Sequence, residues 1–155
     1  MIFVMTGTHD QGFDRLIKAV DKLAKNYSER IFVQTGNSTI KPKNCEWNKF
    51  LTETEREKKI KESSFIITHG GSGSIIDSLK NQKKTIVVPR EKRFHEHSND
   101  HQFDLAETLH KQKKVIMCTD IDNLGKAIEQ AKKTIILKKK RNNEIAKEIE
   151  LFLGK

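Results

Sequence analysis

Short, wholly apolar runs alternate along this chain with stretches patterned as helices, and that alternation leaves few folds open. The runs Ile2-Phe3-Val4-Met5, Ile31-Phe32-Val33, Phe65-Ile66-Ile67-Thr68, Thr85-Ile86-Val87-Val88 and Val115-Ile116-Met117-Cys118 have the length and continuous hydrophobicity of parallel strands covered on both faces. Phe50-Leu51 reads as a further short strand, third in order. Phe13, Leu16, Ile17, Val20, Leu23 and Ala24 share one helical face. Thr52 with Glu55 forms a capping-box pair opening a charged helix to about Ser63. Further helices are predicted to about Asn81, over about 98–110 and after Asp120, an N-cap with Ile121, Leu124, Ile128 and Ala131 on one side of the helix. A last helix, about 143–153, carries Ile145, Ile149, Phe152 and Leu153 on one face. This order predicts an α/β fold, a doubly wound, Rossmann-like parallel sheet forming a single domain over residues 1–155. In such sheets ligands sit outside the carboxyl ends of the strands.

One strand-to-helix junction carries chemistry. The run at residues 65–68 ends in His69-Gly70-Gly71-Ser72-Gly73-Ser74, and a helix follows. Free backbone N–H groups at a helix start bind phosphate well. Glycines let a ligand approach the main chain, and Ser72 and Ser74 add hydroxyl donors. Asp77, one turn into the helix, has the position to reach a ribose hydroxyl. Together these point to a nucleotide-diphosphate site; a tight turn without a ligand is the simpler alternative. The stretch is not a Walker A loop, because no Gly-Lys-Ser/Thr follows. It is not the dinucleotide fingerprint, because Ile76 stands where the third glycine belongs.

Composition narrows the partners. No run approaches the eighteen or so apolar residues of a membrane span, and the N-terminal run lacks a basic region before it, so a cytosolic chain is expected. Cys45 and Cys118 have no metal spacing and are expected to be free thiols, Cys118 buried in a strand. The net charge of +9 favours an anionic partner. Nucleic acid is not expected, since no RNA-binding signature is present and aromatics are only 6% of residues. Lys132, Lys133, Lys138, Lys139, Lys140 and Arg141 form a basic segment, 132–141, without an acid; it is a solvated face or a membrane-surface patch. Residues 94–102 hold several histidines, and His97 and His101 are spaced to share a helical face. The His-Glu-x-x-His order and a third ligand are missing, so no metal is expected. Asp100, His101 and Gln102 instead suit contacts to a hydroxylated ligand.

The glycine turn, Asp77, Thr85-Ile86-Val87-Val88-Pro89 and Asp100-His101-Gln102 together resemble the C-terminal domain of family 28 glycosyltransferases. Val4-Met5-Thr6-Gly7-Thr8 and Phe13-Asp14-Arg15-Leu16-Ile17 resemble the small subunits of two-part transferases. These include the dolichol-pathway N-acetylglucosaminyltransferase type and bacterial exopolysaccharide and capsule β-1,4-galactosyl- and glucuronosyltransferase subunits; residues 90–102 resemble the bacterial type most. The likeness covers nearly the whole chain, weakening after about Thr134.

The resemblance implies one donor-binding half of a GT-B enzyme, catalytic, inverting and needing no metal or other cofactor. It implies that Gly70, Gly71, Ser72, Gly73 and Ser74 hold a UDP diphosphate, Asp77 the ribose, and Asp100 and Gln102, with His101, the donor sugar. Phe50 and Leu51 are the candidates for the uracil pocket, and Gly7 and Thr8 join the donor site. Asp77 stands where many relatives have Glu, which shortens its reach. The acceptor-binding half is absent, which implies a membrane-anchored partner subunit, a lipid-linked acceptor and peripheral attachment to the cytoplasmic face of the membrane. His9, beside the carboxyl end of the first strand, is the candidate general base; a ligand- or partner-contacting or solvated turn histidine, with the base on the partner, is the alternative. His69 reads as packing beneath the loop. A non-catalytic nucleotide-sugar-binding subunit and a nucleic-acid-binding module are the competing functions. The last helix either completes the core or docks on the partner.

Overall fold

The structure is a computed structural model that describes residues 1–99, 101–134, 147, 149–152 and 154. The chain runs β1 (Ile2–Met5), α1 (Asp14–Ala24), β2 (Ile31–Gln34), β3 (Glu46–Asn48), α2 (Glu53–Glu62), β4 (Phe65–Thr68), α3 (Ser72–Lys80), β5 (Lys84–Val87), α4 (His101–Lys111), β6 (Ile116–Met117) and α5 (Leu124–Lys133). The strands form one sheet in the order β3-β2-β1-β4-β5-β6, and every pairing is parallel. This is the predicted doubly wound sheet. The order reverses between β1 and β4, whose register pairs Ile2 with Phe65 and Met5 with Thr68.

Alternation along β1 shows why both faces are apolar. Ile2 and Val4 face α1 and α5, packing with Leu16, Ile17, Val20, Leu124 and Ile128. Phe3 and Met5 face the other way and pack with Phe32, Ile60 and Ile66. Farther along that second face, Ile75, Leu79, Leu105 and Leu109 from α3 and α4 pack against Val87. Truncating a fully buried member such as Leu16 or Ile75 to Ala would cost about 2–5 kcal/mol.

The third strand is Glu46–Asn48, not Phe50-Leu51. It is an edge strand whose alternate residues are exposed, so it leaves no apolar run. Phe50 lies in the following loop, 46% exposed. The capping box forms as read: Thr52 N–H donates to Glu55 Oε2 at 2.8 Å, and Glu55 N–H donates to Thr52 Oγ1 at 3.3 Å. Asp120 caps a single 3₁₀ turn rather than α5 itself, accepting from Asp122 N–H at 3.0 Å. Both cysteines are free and Cys118 is buried, one residue past β6. Of the last helix, residues 149–152 are helical. Ile149 is buried against Ile75, Leu105 and Leu109, whereas Phe152 is 45% exposed. The two therefore do not share one buried face. Ile145, Leu153 and the basic residues 138–141 lie outside the described residues. No described helix is long and apolar enough to cross a membrane.

Candidate functional site

The reversal between β1 and β4 opens a crevice at the carboxyl end of the sheet, where doubly wound proteins bind ligands. Its floor is His69. The imidazole Nδ1–H faces the Met5 carbonyl at 3.3 Å, with Thr68 Oγ1 3.4 Å away. The opposite edge wedges between two glycines. A Cβ on Gly7 would come 2.6 Å from Nε2, and one on Gly71 only 2.4 Å. Gly7 also has φ +83°, a conformation that side chains disfavour. Burial pushes the His69 pKa down to about 4, with Arg90 nearby adding to the fall. The ring is therefore neutral at pH 7 and locks the loops after β1 and β4 together.

Above that floor, α3 begins with N–H groups that no side chain among the described residues caps. Gly71 is the N-cap and makes no side-chain cap bond, and Ile75 N–H is bonded back to the Gly71 carbonyl at 3.1 Å. The N–H groups of Ser72, Gly73 and Ser74 precede the first helical bond and have no intrahelical acceptor. A Cβ on Gly73 would meet nothing within 4 Å. The helix start thus faces open space and carries the positive end of its dipole. Asp77 lies one turn beyond Gly73 on the same face, and its carboxylate is paired with the Arg56 guanidinium of α2.

The loop after β5 supplies the opposite wall. Gln102, in the first turn of α4, packs on Gly70: a Cβ there would lie 3.3 Å from Gln102 Cβ. Gln102 Oε1 is buried with no hydrogen-bond partner among the described residues. His101 is exposed, and its N–H donates to Asn99 Oδ1 at 3.2 Å. Asp100 lies outside the described residues. Thr8 and His9 are exposed. Leu51 packs against the Phe3–Phe32–Ile60 cluster, while Phe50 lies under Lys49 Nζ, 5.4 Å from its ring centre. The fold thus gathers Gly7, His69, Gly70, Gly71 and Gln102 at one crevice, with Asp77 one turn above it.

Residues 90–97 are held largely by internal bonds. Arg90 is 1% exposed. Its Nη1 donates to the carbonyls of Gln11 (2.6 Å), Gly12 (3.2 Å) and Glu96 (2.8 Å), and its Nη2 to that of Thr6 (2.7 Å). Burial lowers the Arg90 pKa to about 10, against the raising effect of Glu96, so it stays cationic. Arg15 grips the Glu96 carboxylate with two bonds, at 2.9 and 2.8 Å. This clasp was not legible in the sequence, because Arg90 and Glu96 stand among other charged residues, Glu91, Lys92 and Arg93, and Arg15 is distant in the chain. It brings His97 against His9, ring centres 4.7 Å apart. Burial, His9 and Arg90 all lower the His97 pKa. His9 Nδ1 accepts from Gln11 N–H at 3.2 Å, so the neutral ring carries its proton on Nε2. Among the described residues, no group of three or more His, Cys, Asp or Glu side chains gathers as a metal site would.

The "Glycosyltransferase family 28 C-terminal domain" profile matches residues 1–152. The human "UDP-N-acetylglucosamine transferase subunit ALG13" is 33% identical over 129 residues, covering 76% of this chain and 11% of that protein. The mouse protein of the same name is 31% identical, again over 76% of this chain. The chain therefore spans about a tenth of the length of these relatives. Among solved structures, the calicheamicin glycosyltransferase CalG4 superposes with a TM-score of 0.66 at 14% identity, covering 99% of this chain and 43% of that one. The kitacinnamycin glycotransferase gives 0.64 at 15%, covering 96% and 37%. At such identities the structures speak for the shared GT-B half fold alone. The chain belongs to the family 28 glycosyltransferase C-terminal domain family.

Proposed function

We propose that this chain is the donor-binding, catalytic subunit of an inverting UDP-sugar-dependent transferase that extends a lipid-linked oligosaccharide. The observation that carries the reading is the uncapped start of α3 facing open space over Gly73, beside the sheet's reversal. Family membership and the name of the human relative supply the class of donor. In this reading the N–H groups of Ser72, Gly73 and Ser74 take the diphosphate, with the Ser72 and Ser74 hydroxyls beside them. They stabilise the charge that develops on departing UDP, so no cofactor or metal is called on. Asp77 accepts from the ribose, Phe50 and Leu51 flank the uracil, and Gly7 and Thr8 border the diphosphate. Asp100, His101 and Gln102 read the sugar; the buried Gln102 Oε1, without a hydrogen-bond partner among the described residues, supports that role.

His9 is the candidate base on this chain. Its Nε2 carries the proton while Nδ1 holds the Gln11 N–H, so to accept a proton at Nε2 the ring must release that contact. A base from the partner subunit avoids this step. The partner is proposed as a membrane-anchored subunit holding the acceptor at the cytoplasmic face, with residues 1–155 acting as one donor domain. A role in exopolysaccharide or capsule synthesis rests on the likeness of residues 90–102 alone.

The test is reconstitution. The purified chain should bind UDP yet transfer little sugar, and adding membranes that contain the partner and a lipid-linked acceptor should restore transfer at least tenfold. UDP binding without transfer under those conditions would make it an accessory subunit. Salt-sensitive RNA binding without UDP binding would make it a nucleic-acid module.

A further inference from the structure

Arg56 stands in none of the roles above, yet it makes the only ion pair recorded for Asp77 among the described residues. It lies in the second turn of α2, and its Nη1 donates to Asp77 Oδ2. Both side chains are about one-third exposed, 28% and 33%, so the pair is half-buried rather than freely solvated. No described residue holds Asp77 Oδ1. Side chains on a helix lean toward its N-terminus, so Asp77 leans toward the turn of Gly73, where an added Cβ would meet nothing within 4 Å.

An aspartate is one methylene shorter than a glutamate, and a free carboxylate at this position has several rotamers. Binding a hydroxyl through an unfixed carboxylate costs the entropy of fixing it. Arg56 takes one oxygen and leaves the other as an oriented acceptor. The guanidinium donates only and cannot itself accept a hydroxyl proton. Its charge also offsets the repulsion between Asp77 and an anionic diphosphate at the helix start.

We propose that Arg56 is a positioning residue that presents Asp77 Oδ1 to the ribose hydroxyls of the donor. The proposal rests on the reading of Asp77 as the ribose contact. It makes ribose discrimination a joint property of α2 and α3.

The test compares UDP with 2′,3′-dideoxy-UDP by calorimetric titration of the full chain, in wild type, Asp77→Asn, Arg56→Met and Arg56→Lys. Circular dichroism confirms that each variant is folded; Arg56 is partly exposed, and Met keeps most of its length. Wild type should favour UDP by about tenfold or more, the range of a charge-assisted bond. Arg56→Met should bring that preference below about threefold, and Arg56→Lys should keep most of it. A wild type that does not distinguish the two nucleotides would overturn the ribose reading of Asp77, and the proposal with it. A wild type that does, with Asp77→Asn losing the preference and Arg56→Met retaining it in full, would overturn the role of Arg56 alone. Equal weakening of both nucleotides in Arg56→Met, with the preference intact, would also overturn it by reducing Arg56 to general charge.

Discussion

His69 shows how a single side chain sets the limits of the crevice. Its ring fills the space that a methyl on Gly7 or Gly71 would need, so those glycines serve the floor of the site as well as any ligand above it. The sequence shows Gly71 close to the histidine but not this wedge, which depends on Gly7 arriving from a distant strand. The histidine also couples stability to pH. Its pKa falls from 6.5 to about 4 on folding, so its neutral form contributes fully above about pH 6.5. That contribution is lost as pH falls toward 4, where the unfolded chain takes up the proton more readily. The expected loss is up to about 3 kcal/mol. Urea unfolding of wild type between pH 7 and pH 4 should show this slope. In His69→Asn, whose amide still reaches toward the Met5 carbonyl, the slope should be shallower; an unchanged slope would place the proton uptake elsewhere.

Among the elements, those buried on both faces were legible and those fixed by long-range polar bonds were not. β1, β2, β4 and β5 are apolar because helices cover them on both sides, and the sequence pattern follows directly. β3 is an edge strand with Glu46 and Asn48 exposed, and nothing in its composition separates it from a loop. The segment after β5 was legible only as polar. Its shape comes from Arg90, which ties the carbonyls of Thr6, Gln11, Gly12 and Glu96 into one knot. Arg90→Met should leave those carbonyls without donors and cost about 3 kcal/mol or more. Arg90→Lys should recover only part, because one ammonium cannot reproduce a planar fork. Urea midpoints, together with limited proteolysis across residues 90–97, would check this; a Met variant as stable as wild type would show that the knot is solvated rather than structural.

At the scale of the molecule, the account rests on a sheet that reverses between β1 and β4 and an uncapped helix facing the gap. The fold class was legible because the alternation of strands and helices admits little else. The candidate site was legible in its glycine turn, Asp77 and Gln102, and less so where it depends on partners in space, such as Arg56 and Arg90. The net charge of +9 suits an anionic ligand without naming it. Gly71 is a poor probe of that ligand, because any side chain there strikes His69. Gly73 is a clean one, because its missing Cβ has only open space around it. The most direct test of the central claim is therefore a calorimetric titration with UDP of wild type and Gly73→Val, each with its thermal unfolding midpoint measured without nucleotide. The account predicts that wild type binds UDP, that the variant unfolds at nearly the same temperature, and that its affinity is at least about tenfold weaker. No binding by wild type, or equal binding by a folded Gly73→Val, would contradict the donor site at the start of α3.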